Sequence, residues 1–126
     1  MRDHPITDKI RGLIRATIRT TWTLEALLFL LRNESQSWPI ASIVKELRSS
    51  ELAISEGMAR LVNIGLVVET EPRRFRYRPA NGELAELATA LSQIHAERPY
   101  ALIEEIASAQ SAGIQDFADA FKLRKD

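Results

Sequence analysis

The sequence predicts a mainly α-helical protein that carries one short two-stranded β-hairpin. Apolar residues recur every three or four positions along most of the chain, and a period-two pattern follows over residues 74–78. The chain has 126 residues, of which 45% are hydrophobic and 27% are charged. This composition is typical of soluble globular proteins, and the length suffices for one domain with one core.

Helices are expected on both sides of a polar loop in the first part of the chain. A basic amphipathic helix comes first, with Pro5 near its start. The next helix is apolar on most sides, so we expect it at the centre of the core, with Thr21 or Thr23 as its N-cap. Pro39 can open the third helix at its first position, after a short extended segment at Trp38.

The strongest local signals surround a fourth helix, expected from Glu51 to about Ile64. Ser50 is its predicted N-cap, and Glu51 favours the positive end of the helix dipole. Gly65 should end the helix, because glycine adopts the left-handed conformation without strain. The expected buried face consists of Ile54, Met58, Leu61 and Val62.

A hairpin and further helices follow. A strand is expected over 66–70 and a turn over 71–73, after which Phe75 and Tyr77 alternate with arginines. A strong helix is expected over 83–98, and Pro99 should begin another helix or kink this one. A short final helix is expected around residues 114–121. Residues 81–126 are therefore predicted to form a helical extension of the 1–80 domain, within the same compact unit.

The net charge is zero, but the charge is unevenly distributed. Residues 1–20 carry five basic and two acidic side chains, whereas residues 81–126 carry four basic and eight acidic side chains. This asymmetry indicates polarity in the binding surfaces. For the basic first helix, core packing with a solvated basic face is the favoured interpretation over a dedicated face for an anionic partner.

The segment 47–67 resembles the helix-turn-helix of MarR-type and ArsR-type winged-helix transcriptional regulators. The resemblance covers roughly residues 20–80, and residues 117–125 are similar to the end of small bacterial winged-helix proteins. It implies a winged helix-turn-helix head with a two-stranded β-wing, followed by C-terminal helices. The residues that carry it are Leu47, Ser50, Ile54, Met58, Leu61, Gly65, Leu66 and Val67.

The resemblance implies a function in DNA binding, with the helix 51–64 in the major groove. The expected groove-facing residues are Ser50, Ser55, Arg60 and Asn63. The expected phosphate-binding residues are the wing arginines Arg73, Arg74, Arg76 and Arg78. Four such contacts would give a slope of roughly −3 to −4 when the logarithm of affinity is plotted against that of salt concentration. The same arginines also have an explanation that does not involve DNA. Charged side chains on an edge strand prevent the sheet from pairing with the sheet of another molecule.

The exposed side chains of the helix 51–64 weaken the DNA interpretation. Glu51 and Glu56 would repel phosphates, and Leu52 could contact either a thymine methyl group or a protein. A winged-helix adaptor that binds protein through Leu52 and Glu56 is therefore the alternative function. We also expect a homodimer through the C-terminal helices, as is usual for regulators that bind two-fold symmetric DNA.

Catalytic, metal-binding and membrane functions have little support. The chain has no Cys and only two His, and it lacks the glycine-rich phosphate loops and hydrolase motifs of common enzymes. No apolar run approaches the ~20 residues that span a bilayer. We therefore expect a cytoplasmic, bacterial-type binding protein that is not an enzyme and needs no cofactor.

Overall fold

The computed structural model describes residues 6–109 and shows a mainly helical chain with one small antiparallel sheet. Within this range no helix combines the length and apolar character needed to cross a membrane. The helix expected around 114–121 and the C-terminal similarity over 117–125 lie outside the described residues. The elements in chain order are α1 (Asp8–Ala16), α2 (Thr21–Arg32), β1 (Trp38–Pro39), α3 (Ile40–Leu47), α4 (Glu51–Ile64), β2 (Val67–Glu71), β3 (Arg74–Tyr77), α5 (Gly82–Glu97) and α6 (residues 99–109).

The sheet has three strands in the order β1-β3-β2. The expected two-stranded hairpin is present as β2 and β3, and the extended segment expected at Trp38 pairs with β3 as a third strand that was not predicted. Trp38 lies opposite Phe75 in the β1–β3 pair, and the Ile40 N–H donates to the Arg73 carbonyl at 2.9 Å. The Trp38 ring packs edge-on against Phe29, with 5.0 Å between ring centroids, and this contact holds the extended segment in place. A strand of two residues is too short to produce a recognisable period-two pattern.

All six described helices and both hairpin strands contribute to one hydrophobic core. The α5 and α6 side chains in this core are at most 2% exposed, so the segment after residue 81 packs as part of the same unit. The α5 and α6 core residues are Ala88, Leu91, Ile94, Leu102 and Ile106. A new helix does begin at Pro99, as one of the two sequence interpretations held.

Helix caps account for most of the helix boundaries. The Ser50 side chain accepts a hydrogen bond from the Ala53 N–H at 3.1 Å, and Gly65 ends α4 with φ of +97°, so both predictions for α4 are confirmed. The prediction for α2 was wrong, because Thr20 is its N-cap and accepts from the Thr23 N–H at 3.1 Å. Thr23 itself is 1% exposed and lies inside the helix.

Candidate nucleic-acid interface

Helix α4 presents one face to the core and the opposite face to solvent. Its buried residues are Ile54, Gly57, Met58 and Leu61, which recur at helical spacing. Val62, which was expected in the buried face, is instead 37% exposed. The outward face, defined by helical periodicity and exposure, consists of Leu52, Glu56, Ala59 and Asn63.

Of the four predicted groove-facing residues, only one lies on this outward face, near the C-terminal end of α4. Asn63 is exposed there, whereas Ser55 is half-buried on the side of the hairpin. Arg60 is half-buried on the opposite flank of the helix. Ser50 precedes the helix, and its hydroxyl oxygen is engaged as the N-cap. The outward face therefore offers Asn63 near the C-terminal end of α4, with polar groups on either flank of the helix.

A groove of about 420 Å³ separates α4 from the hairpin. Its lining combines apolar side chains from α3, α4 and β3 with polar groups at the rim. Of the predicted site residues, it brings together Ser55, Asn63 and Arg73. The residues that line it are Ile40, Ser55, Ala59, Val62, Asn63, Glu69, Arg73 and Phe75.

The alternation predicted for β3 is confirmed. Phe75 and Tyr77 are each 8% exposed, whereas Arg76 and Arg78 are exposed and Arg74 is half-buried. Burial raises the pKa of Tyr77 above 10.0, and the nearby Glu34 carboxylate raises it further, so the phenol stays neutral. The outer face of the hairpin thus carries a row of three arginines, Arg74, Arg76 and Arg78, which we call the arginine row.

Hydrogen bonds to the loop before β1 hold two members of the arginine row. Arg76 Nε donates to the Glu34 carbonyl at 3.0 Å, and Arg74 Nη2 donates to the Ser37 carbonyl at 3.4 Å. A guanidinium has five N–H donors, so each of these side chains keeps donors that can face a ligand. The loop therefore positions the arginine row without using up its binding capacity.

The charges of the arginine row are only partly neutralised. Arg74 Nε lies 3.5 Å from the Glu71 carboxylate, in an exposed pair that solvent weakens. Within residues 6–109, neither Arg76 nor Arg78 has a carboxylate within 4.0 Å. These two positive charges are available to an anionic partner.

Arg73 stands apart from the arginine row. It lies in the turn between β2 and β3 with φ of +63°, and its backbone N–H donates to Glu69 Oε2 at 2.7 Å. Its guanidinium forms a hydrogen-bonded ion pair with the Glu51 carboxylate in the first turn of α4. The hairpin turn and the start of α4 are thereby joined across the groove.

The basic face of α1 is paired with the acidic C-terminal helices. Lys9 Nζ lies 2.8 Å from the Glu83 carboxylate, and Arg11 Nε lies 2.9 Å from Glu105 Oε1. The hydrogen bond between Lys9 and Glu83 raises the pKa of Lys9 and lowers that of Glu83. These contacts support the interpretation of α1 as a packing helix and explain part of the charge asymmetry along the chain.

One exposed cation near α4 was missed by the sequence interpretation. Arg48 is the C-cap of α3 and has φ of +54°, a left-handed conformation in which glycine is the usual residue. It lies two positions before the N-cap Ser50, so the turn that leads into α4 carries a positive charge. No local signal distinguishes such an arginine from any other surface arginine.

The described residues thus form a surface suited to an extended anion. Arg76 and Arg78 supply cations without a carboxylate within 4.0 Å on the hairpin face opposite Phe75, while α4 presents the Asn63 amide and apolar side chains across the groove that Phe75 lines. Comparison with protein-family models, with curated proteins and with solved structures gives no match for the chain. The functional argument therefore depends on the geometry and charge of this surface.

Proposed function

We propose that the protein is a DNA-binding transcriptional regulator with a winged helix-turn-helix head. In this proposal α3 and α4 form the helix-turn-helix, the β2–β3 hairpin is the wing, and β1 is the short strand that completes the sheet. The row of three arginines on the hairpin that follows the exposed helix α4 is the observation that carries the proposal. The proposed protein is cytoplasmic and acts by binding rather than by catalysis.

The proposal assigns different tasks to the two parts of the surface. Arg74, Arg76 and Arg78 bind phosphates, which supplies affinity but no sequence information. Asn63 is the α4 residue best placed for a base edge, since an asparagine amide can bond both N6 and N7 of adenine. Ser50, Ser55 and Arg60 contact the DNA at the edges of the major groove that α4 enters. The apolar outward residues Leu52 and Ala59 are suited to thymine methyl groups.

The acidic residues of α4 limit this binding. Glu56 is exposed on the outward face, where its carboxylate would approach phosphates or base acceptors. Glu51 is paired with Arg73, so its charge is partly compensated. We therefore expect affinity to come mainly from the hairpin and sequence preference to come from few α4 contacts.

The proposal includes a two-fold dimer formed through α5 and α6. On α6, Tyr100 is 81% exposed and Ile103 is 42% exposed, although their neighbours Leu102 and Ile106 are buried in the core. Residues three apart on a helix lie on the same face, so these two side chains form an outward apolar patch. A second copy of the chain would remove that patch from water and would present two α4 helices to one duplex.

A protein-binding adaptor is the second candidate function. Leu52 is 69% exposed at the N-terminal end of the outward face of α4, one turn before Glu56. An exposed leucine next to a carboxylate suits an apolar, basic partner segment better than it suits a phosphate backbone. This candidate predicts a partner whose binding is lost in Leu52→Ser and is retained when the arginine row is removed.

The test is a titration of the protein into a fluorescently labelled mixed-sequence duplex, followed by anisotropy from low to physiological salt. We expect the logarithm of affinity to fall linearly with the logarithm of salt concentration, because bound cations release counterions from the duplex. The variant Arg74/Arg76/Arg78→Ala should lose most of both the affinity and the salt dependence.

The matched control is Lys9/Arg11/Arg15→Ala, which removes the same number of positive charges from α1. It should retain the salt slope of the wild type if the hairpin is the phosphate-binding surface. Equal losses in both variants would indicate a nonspecific effect of net charge. Absence of binding at low salt would contradict the proposal and would favour the adaptor.

A further inference from the structure

The ion pair between Arg73 and Glu51 closes one end of the groove between the hairpin and α4. Glu51 Oε2 accepts a hydrogen bond from Arg73 Nη2, and the two residues are 22 positions apart in the sequence. The Arg73 side chain is 57% exposed and that of Glu51 is 67% exposed, so a large anion can reach the pair from solvent.

Two carboxylates define the position of Arg73. Glu69 accepts its backbone N–H at 2.7 Å, while Glu51 binds its guanidinium. With φ of +63°, Arg73 occupies a backbone conformation that favours glycine. The turn therefore places an arginine at a position where the backbone conformation favours glycine, and the arginine side chain reaches the start of α4.

Building on the proposed function, we propose that Glu51 competes with DNA phosphates for Arg73 and so limits the affinity of the protein for DNA. In the free protein the Glu51 carboxylate binds the guanidinium. On DNA a phosphate replaces that carboxylate, because both anions accept hydrogen bonds from a guanidinium. Glu51 is then left unpaired near the duplex, where its charge opposes binding.

The exposure of the pair makes this exchange feasible. An ion pair in contact with solvent contributes little to stability, so breaking it is a small cost that one phosphate contact can offset. Glu51 has such an ion pair to break, and in this it differs from Glu56, the other exposed carboxylate in this part of α4. Within the described residues, Glu56 has no cation within 4.0 Å.

The test compares Glu51→Gln with Glu56→Gln in the anisotropy titration on the full-length protein. Each variant removes one negative charge from α4, but only Glu51→Gln releases Arg73. We expect Glu51→Gln to bind the duplex about three- to fivefold more tightly at low salt, the range of one exposed ion pair. Its log–log salt slope should stay close to that of the wild type, because Arg73 contacts one phosphate in both complexes.

The same pair of substitutions in an Arg73→Ala background separates competition from general repulsion. There, Glu51→Gln and Glu56→Gln should have equal effects, because no guanidinium remains to be released. Thermal unfolding by circular dichroism checks that all variants fold, so that a loss of structure is not read as a loss of affinity.

Three results overturn the inference. If Glu51→Gln and Glu56→Gln act alike with Arg73 present, while the arginine row remains essential, the proposed function holds and the competition does not. If the advantage of Glu51→Gln persists in Arg73→Ala, Glu51 acts by repulsion alone. If neither the wild type nor Glu51→Gln binds the duplex at low salt, the proposed function and the inference fall together.

Discussion

Gly57 of α4 lies directly against Thr23 of α2 at the point where the two helices meet. A Cβ atom added to Gly57 would lie 2.9 Å from Thr23 Oγ1 and 3.4 Å from the Thr23 Cα. The Thr23 side chain has little room to move, because it is 1% exposed and its hydroxyl lies 3.1 Å from the Thr20 hydroxyl. Glycine at position 57 therefore sets how closely α4 approaches the core.

Replacing Gly57 with alanine should destabilise the protein even though alanine favours helices. The gain in helix propensity is about 0.5–1 kcal/mol, whereas overpacking a tight contact costs about 1–3 kcal/mol. We expect a net decrease of about 1 kcal/mol in the free energy of unfolding, measured by urea denaturation.

Gly12 of α1 provides the matched control for this substitution. It is also helical and exposed, but a Cβ atom there would meet nothing within 4 Å. Gly12→Ala should therefore stabilise the protein by about 0.5–1 kcal/mol through helix propensity alone. A Gly57→Ala variant as stable as Gly12→Ala would show that α2 and α4 can move apart enough to accept a methyl group at little cost.

The Lys9–Glu83 pair predicts a pH-dependent contribution to stability. The Glu83 pKa is lowered below 4.5 in the folded state, so its contribution is complete above pH 4.5 and is lost as the pH falls through the folded value. The Lys9 pKa is raised above 10.5, so its contribution is lost only as the pH rises beyond that value. The melting temperature of Glu83→Gln should therefore be below that of the wild type at pH 7 and should converge with it in acid.

Salt and a second carboxylate test this assignment. The difference at pH 7 should shrink in 1 M salt, because the pair is exposed and its charges are screened. Glu46→Gln is the control, since Glu46 is exposed on α3 and has no cation within 4.0 Å among the described residues. A Glu83→Gln deficit that stays constant from pH 3 to pH 7 would exclude the ion pair as its cause.

The proposed dimer predicts a change in mass for a variant of the α6 patch. Tyr100→Ser with Ile103→Ser should shift the protein from dimer to monomer in size-exclusion chromatography with light scattering. Its helix content should not change, because both side chains are exposed in the monomer. Leu52→Ser, which removes an exposed apolar side chain from α4, should leave the mass unchanged. A wild-type protein that is already monomeric would contradict the proposed dimer.

Removing the chain after Gly82 should prevent the head from folding as a stable unit. The deletion removes five fully buried core residues of α5 and α6, and the residues that pack on them would become exposed to water. We expect an insoluble protein or one without a cooperative thermal transition. A shortened protein that melts cooperatively, with near-native helix content, would show that residues 1–82 form an independent domain.

Local signals made α4 and the hairpin predictable, whereas contacts between distant segments were not. Ser50 and Gly65 act on the backbone within a few residues, so their roles could be derived from the sequence. The alternation of Phe75 and Tyr77 with arginines was equally local. The Glu51–Arg73 pair spans 22 positions, and Glu51 was expected to favour the helix dipole and to repel phosphates, not to pair with an arginine.

The pairing of β1 with β3 and the close contact at Gly57 escaped prediction for a related reason. β1 has two residues and is defined by its partner on β3 rather than by its own pattern. Gly57 interrupts an otherwise ordinary helical sequence, and its importance appears only when Thr23 is placed against it. In both cases the deciding neighbour lies on another element.

Because β1 and β2 both pair with β3, the strand that carries the arginine row is the central strand of the sheet. Its backbone is paired on both sides at Arg74 and Phe75, and the Arg78 N–H donates to the Leu66 carbonyl just beyond the strand, so the three arginines project from a framework that is already ordered before any ligand arrives. Association then requires little loss of conformational entropy from the hairpin, and more of the contact energy is retained as affinity. The two-residue strand thus makes the arginine row a preorganised surface rather than a flexible arm.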